Sequence, residues 1–333
     1  MTLSEQRVLI LNNNDVVRLL TFDSCIDLMA ETLGDLALGR FHQPLRMIVR
    51  PPEAKGLLGL MPAYRSSDPT AYGLKAICVF PENPKSGKDA HQGSVMLFSG
   101  DSGELLALMN ASAITAVRTA AVSAVATRLL AREDARELAI VGSGVQARSH
   151  LAALACVRPL KRTRVVSRTR QHADQFVVEM APRFPFQLEA VDSAREALDG
   201  ADIIVTVTNS HEPVIDREWI SPGAHINAIG THSVAAREID GATMAAARLF
   251  VDRRESAINE AGDFVLAQKE GLIDADSIVA ELGELVIGEK RGRETQDEIT
   301  LFKSLGLAVE DLACAEYLFR KAQETGSGTW VTF

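Results

Sequence analysis

Ile26, Met29, Ala30, Leu33 and Ala37 recur at the three- and four-residue spacing of one helix face, which predicts an amphipathic helix over 25–40 with Asp23 or Ser24 as its cap. A short apolar run precedes it at 7–11 and reads as a strand; Asn12 to Asn14 offer an N-cap to the next helix. After Pro44 the period shortens. Runs at 46–49, 57–63, 72–80, 94–98 and 105–110 are separated by Pro, Gly and Asp-Ser-Gly turns, and together they predict a largely antiparallel sheet.

From Thr115 onward helical and strand-like stretches alternate: helix 116–130, strand 137–141, helix 145–156 and strand 164–167, with further strands at 202–207, 225–229, 249–251 and 299–302. That alternation predicts a doubly wound parallel sheet of Rossmann type. A last amphipathic segment at 308–322 follows the final strand and is free to pack back on the first part of the chain, making that part discontinuous. The expected organisation is an α+β domain of 1–118 and 305–333, and a dinucleotide-binding domain of 119–304.

Gly142, Gly144 and Ala147 form G-x-G-x-x-A directly after a predicted strand and at the mouth of a predicted helix. In that context the first glycine permits the tight turn, the second admits a pyrophosphate, and the alanine lets helix pack on strand. The expected cofactor contacts are Gly142, Gly144, Val145, Gln146 and Ala147 of the turn, and Ser167, Arg168 and Thr169 after the next strand. Thr119 and the segment Thr206, Val207 and Thr208 complete the set. The second strand ends without the acid that accepts the ribose hydroxyls of NAD. Arg168 among hydroxyls instead favours the 2′-phosphate of NADP, with NAD as the alternative.

Composition narrows the classes. Of 333 residues, 47% are hydrophobic and 24% charged, and the formal charge is −9, which argues against nucleic acid or an anionic membrane as a partner. Cys25, Cys78, Cys156 and Cys314 show neither paired nor zinc-like spacing, so no metal site or disulfide framework is expected and a cytoplasmic setting fits. No basic-then-apolar leader opens the chain, and no uninterrupted apolar run approaches membrane-spanning length.

Three cations stand out. Lys75 lies in an otherwise apolar run, where a buried ammonium needs an anion. Arg46 precedes Met47, Ile48 and Val49, and invites the same reasoning. Arg118 is placed in the first turn of a helix that Thr115 could cap, where guanidinium and helix dipole would converge on a carboxylate. His232 follows the strand near Ile229 at the edge where ligands of this architecture bind. Taken singly, each residue also suits an edge, a surface salt bridge or an ordinary loop.

Five blocks, GLKAICVFPENP, ITAVRTAAVSAVAT, VGSGVQARSHLAAL, INAIGTHSVAAREID and FVDRRESAINEAGDF, resemble the ornithine cyclodeaminase and mu-crystallin family in content and order. The resemblance implies a homodimer whose N-terminal domain binds both the partner subunit and the substrate, and whose Rossmann domain holds the cofactor across a cleft. It implies that Arg46, Lys75 and Arg118 bind the carboxylate of an amino or imino acid. Family cyclodeaminases carry an aspartate just after the glycine of the INAIG-like strand; here Gly230, Thr231, His232 and Ser233 hold no acid.

The expectation is therefore an NAD(P)H-dependent reductase of small cyclic imino acids, with Lys75 and Arg118 as catalytic residues. Arg46 and His232 would join them in holding the substrate. The alternatives are a cyclodeaminase or amino-acid dehydrogenase with His232 or Asp240 supplying the absent acid, and a cofactor-binding protein without turnover.

Overall fold

In the computed structural model, which describes residues 6–231 and 233–333, the chain forms two compact units. One runs to Arg118 and resumes over Leu307–Phe333; the other is Thr119–Gly306.

The first unit is built on a sheet whose central strands Leu57–Arg65, Ala71–Val79, His91–Ser99 and Leu105–Asn110 pair antiparallel in sequence order. Arg7–Leu11 extends it in parallel beside Leu105–Asn110, and Thr329–Thr332 closes that edge. Along Ala71–Val79 the residues Ala71, Gly73, Lys75 and Ile77 alternate onto one buried face, as period-two patterning requires. The helix Ala308–Thr325 lies on this face. A Cβ on Gly73 would come within 3.0 Å of the Leu312 side chain, so glycine there sets how closely the helix approaches.

The second unit contains a wholly parallel sheet with helices at both faces, the predicted α/β architecture. From Glu137–Val141 the chain steps outward through Arg162–Val166 to Gln187–Ala190. It then returns to the other side with Ile203–Thr206 and His225–Ala228. The strand order therefore reverses between Glu137–Val141 and Ile203–Thr206, which opens a crevice at their carboxyl ends. Ile204, Ile226, Leu301 and Phe264 belong to the apolar core packed on the sheet.

Several elements differ from the sequence reading. The second helix begins at Phe22, because Thr21, not Asp23 or Ser24, accepts the Ser24 amide. The helix expected from 116 begins at Ala111, where Asn110 accepts the amide of Ala113 at 2.9 Å. Arg118 thus lies two turns inside the helix and the dipole argument made for it fails. At 20 residues, Ala111–Leu130 is also long and apolar enough to span a membrane. However, 78% of its most apolar window is buried within the structure, as in a core helix. Thr329–Thr332 escaped prediction because every one of its residues is exposed, leaving no alternation to read.

Candidate active site

Lys75 and Arg118 meet at the head of the C-terminal helix. The Lys75 ammonium lies 2.7 Å from Asp311, and Arg118 reaches Glu310 at 2.8 Å through Nη1 and Asp311 at 3.4 Å through Nε. All four side chains are at most 5% exposed. Both acids sit in the first turn of Ala308–Thr325, where the helix dipole favours negative charge. Burial, then the neighbouring charge of Arg118, pull Lys75 down to about 8 although Asp311 opposes them; Arg46 adds to the repulsion. Burial also works against the Arg118 charge, but Asp311 and Glu310 outweigh it and hold the guanidinium protonated.

Arg46 is half-buried, and the buried-strand reasoning applied to it does not hold. Met47, Ile48 and Val49 are 61%, 47% and 46% exposed on an edge strand paired with Leu58 to Leu60. Its charge nevertheless acts on Lys75. His91 lies in the same field: desolvation of its ring and the charge of Lys75 hold the imidazole below its ordinary value. Sequence reasoning passed over Glu310, Asp311 and His91. The available signal for the first two was a pair of adjacent acids inside an apolar stretch running from Leu305 to Ala315.

The turn at 142–147 sits where the parallel strand order reverses. Gly142 has φ +118, and a Cβ there would lie 2.7 Å from the Val207 carbonyl oxygen, so both conformation and close approach demand glycine. Gly144 is exposed, with nothing within 4 Å of the position a Cβ would occupy; it precedes the helix Val145–Val157 and makes no side-chain cap. The 13-residue helix thus starts without a side-chain cap behind a glycine with open space at its Cβ position, an arrangement that suits a diphosphate. The exposed Val145, the half-buried Gln146 and the buried Ala147 begin that helix.

Arg148 braces the turn from behind. It donates through Nη1 to the carbonyls of Ser143 and Gly144 and pairs with Glu179 at 2.6 Å. Ser143 and Ser167 share a 2.8 Å hydrogen bond, tying the turn to the end of the next strand. Beyond it Arg168 and Thr169 are exposed. Arg170 is engaged by Asp174 and Asp192, whereas Arg168 makes no ion pair with a described residue. Thr119 is buried. His150 on the same helix is fully buried between the Gln146 carbonyl and the Ser123 hydroxyl, at 2.7 and 2.9 Å, and burial pushes it down to about 4. The carbonyl only accepts, so Nδ1 carries the proton and Nε2 accepts from Ser123.

At the carboxyl ends of the next strands, the buried Glu238 accepts from the Thr206 hydroxyl at 2.9 Å, the Thr208 amide at 2.5 Å and the Gly230 amide at 2.7 Å. Thr206 is fully buried with its hydroxyl on Glu238, while Val207 and Thr208 are half-exposed. Asp263 accepts from the Glu238 and Ile239 amides, from Thr231 and from Lys303, all within 2.9 Å. Burial alone would raise Asp263, but Lys303 and these hydrogen bonds hold it below its ordinary value. Asp240 caps the helix Gly241–Ala246 by accepting the Thr243 amide. His232 lies outside the described residues. Among the described residues no cluster of His, Cys, Asp and Glu suits a metal ion.

A doubly wound sheet carrying this glycine turn defines a nicotinamide-dinucleotide-binding oxidoreductase class. The model of the ornithine cyclodeaminase/mu-crystallin family matches residues 6–326, and the chain belongs to that family. It is 38% identical over 327 residues to Delta(1)-pyrroline-2-carboxylate reductase of Bacillus thuringiensis subsp. konkukian (strain 97-27), covering 98% of this chain and 100% of that one. It is 40% identical over 281 residues to ketimine reductase mu-crystallin of Mus musculus, covering 84% and 85%. Among solved structures, Thermococcus litoralis Delta(1)-pyrroline-2-carboxylate reductase in complex with NADH and L-proline superimposes with a TM-score of 0.94 at 39% identity, covering 97% of this chain and 99% of that one.

Proposed function

We propose that this chain is an NAD(P)H-dependent reductase of small cyclic imino acids of the pyrroline-2-carboxylate or piperideine-2-carboxylate type. The observation that carries the reading is the buried pair Lys75 and Arg118, with the Arg46 charge beside them, in a chain 38% identical over 327 residues to a pyrroline-2-carboxylate reductase. Arg118 and Arg46 hold the substrate carboxylate by charge-assisted hydrogen bonds. Lys75, lowered to about 8, is protonated at neutral pH and can give a proton toward the imine nitrogen, which makes the carbon a better hydride acceptor. His232 stays a candidate substrate contact.

Bound on the second unit, the dinucleotide supplies the hydride. Gly142, Gly144, Val145, Gln146 and Ala147 would hold its diphosphate; Thr119, Val207 and Thr208 would flank it, and Thr206 would fix the loop through Glu238. Ser167, Arg168 and Thr169 favour NADPH over NADH, because Arg168 is an exposed cation without a described carboxylate partner at the end of a strand that lacks the usual acid. Exposed Met47, Ile48, Val49 and Tyr72, on the strands that flank Leu57–Arg65, support a homodimer. Four free cysteines support a reducing, cytoplasmic setting.

The cyclodeaminase alternative requires an uncommitted acid after Gly230. Asp263 there is saturated by four donors, and Asp240 is a helix cap. The decisive experiment assays NADPH and NADH oxidation with each cyclic imine, and ammonia release from ornithine, in parallel. Turnover of the imines with NADPH ahead of NADH is expected. No oxidation with any imine at any pH removes the reductase, and an unchanged cofactor ratio in Arg168→Ala removes the role of Arg168.

A further inference from the structure

We propose that Arg148, held by Glu179, is a positioning residue for the cofactor diphosphate: it fixes the two peptide groups whose amides the glycine turn offers to the anion. The inference rests on the reading of residues 142–147 as the diphosphate site and names what keeps that site in its binding form.

Glycine makes the turn possible and also leaves it soft. Gly144 is exposed and has no side chain through which packing could hold the peptides on its two sides. The helix behind it starts without a side-chain cap, and the backbone hydrogen bond from the Arg148 amide to the Gly144 carbonyl is long, at 3.4 Å. Arg148 supplies the missing restraint with its side chain. Its Nη1 donates to the Ser143 carbonyl at 2.5 Å and to the Gly144 carbonyl at 3.1 Å. Both peptides are trans, so in each the carbonyl and the amide point in opposite directions. Holding the carbonyls of Ser143 and Gly144 on the guanidinium therefore turns the amides of Gly144 and Val145 away from it. A peptide rotated the other way would present a carbonyl oxygen, which repels a phosphate.

The guanidinium is itself fixed from the helix Arg170–Met180. Glu179 accepts from Nε at 3.0 Å and from Nη2 at 2.6 Å, and the guanidinium carbon lies 5.4 Å from the ring centroid of the fully buried Phe176. The hydrogen bond from Arg148 outweighs desolvation and, with the charges of Arg148 and Arg183, holds Glu179 below its ordinary value. Glu179 is thus a carboxylate at neutral pH and offsets the charge of Arg148. What remains is direction: Arg148 acts on the cofactor through the aim of two amides, as the support behind a preorganised binding site does.

The test titrates NADPH and NADH, followed by nicotinamide fluorescence, into the full chain and into Arg148→Met, Arg148→Lys and Glu179→Leu. Each variant is expected to weaken both dinucleotides at least about tenfold, the loss of a charge-assisted hydrogen bond, with their ratio unchanged because the diphosphate is common to both. In turnover the loss should appear in KM for NADPH, with kcat at saturation kept within about threefold. Glu179→Leu separates positioning from plain attraction. Deleting an anion beside the turn would tighten a purely electrostatic site, whereas deleting the support loosens a positioned one. Wild-type NADPH affinity in Glu179→Leu or in Arg148→Lys overturns the proposal, and so does a loss confined to NADPH, which would move Arg148 to the 2′-phosphate. Should Arg148→Met fail to fold, the other two variants decide it. A wild-type chain that binds neither dinucleotide removes the cofactor reading itself, whereas tight binding without reduction of any imine sinks the reductase and leaves this inference standing.

Discussion

Two buried charge clusters, one in each unit, use the same residue types to opposite ends. In the second unit Asp263 receives two backbone amides, a hydroxyl and the Lys303 ammonium, while Glu238 receives two amides and a hydroxyl. These bonds tie the described residues after Gly230 to the ends of the parallel strands. In the first unit Lys75 and Arg118 are held by side chains of a single helical turn, and burial together with the charges of Arg118 and Arg46 pulls Lys75 down to about 8. The difference separates architecture from chemistry. A buried charge surrounded by backbone donors locks a loop, whereas buried cations crowded together keep a demand for an anion that a substrate can meet.

The contrast predicts unequal responses to mutation. Asp263→Ala should cost the most stability, on the order of 3–5 kcal/mol, because it strands Lys303 and two buried amides. Urea unfolding measures this, and a loss under about 1 kcal/mol would dissolve the distinction drawn between the clusters. Arg118→Ala should lower kcat/KM for the imine more than about a hundredfold, chiefly through KM, with NADPH affinity kept within a few-fold. A purely structural Arg118 would move both ligands together.

A further pair of histidines belongs to the architectural side. His150 and His225, lowered by burial to about 4 and about 3, bind protons more readily unfolded than folded, so stability must rise with pH between those values and about 6.5. The unfolding free energy from urea titrations should therefore fall from pH 7 to pH 5, by up to about 2 kcal/mol for each histidine. Flat midpoints would show that neither is neutral in the folded state. Gly142→Ala is expected to weaken NADPH at least about tenfold in a fluorescence titration while leaving carboxylate binding to the other unit unchanged. The mildest effect is on the pH profile. If protonated Lys75 assists reduction, kcat/KM should decline above about pH 8, the value at which the folded lysine loses its proton. A profile level to pH 9.5 would remove that role.

Local physics explains what could be read directly from the residue order. The turn at Gly142, Gly144 and Ala147 is written in six consecutive positions, since a positive φ and a helix start depend on immediate neighbours. The otherwise apolar run around Lys75 likewise called for an anion wherever that lysine is buried. The identity of that anion was beyond such reasoning. Arg118 and Asp311 stand 193 positions apart, and Thr231 and Asp263 stand 32 apart, so neither spacing carries a periodic signal. The start of the helix at Ala111 was also misread, because the Asn110 cap outcompeted Thr115. Patterning along the chain reports which face a residue occupies; which residue waits on the other side is set by how a distant helix packs, and here by the closeness that Gly73 allows to Leu312.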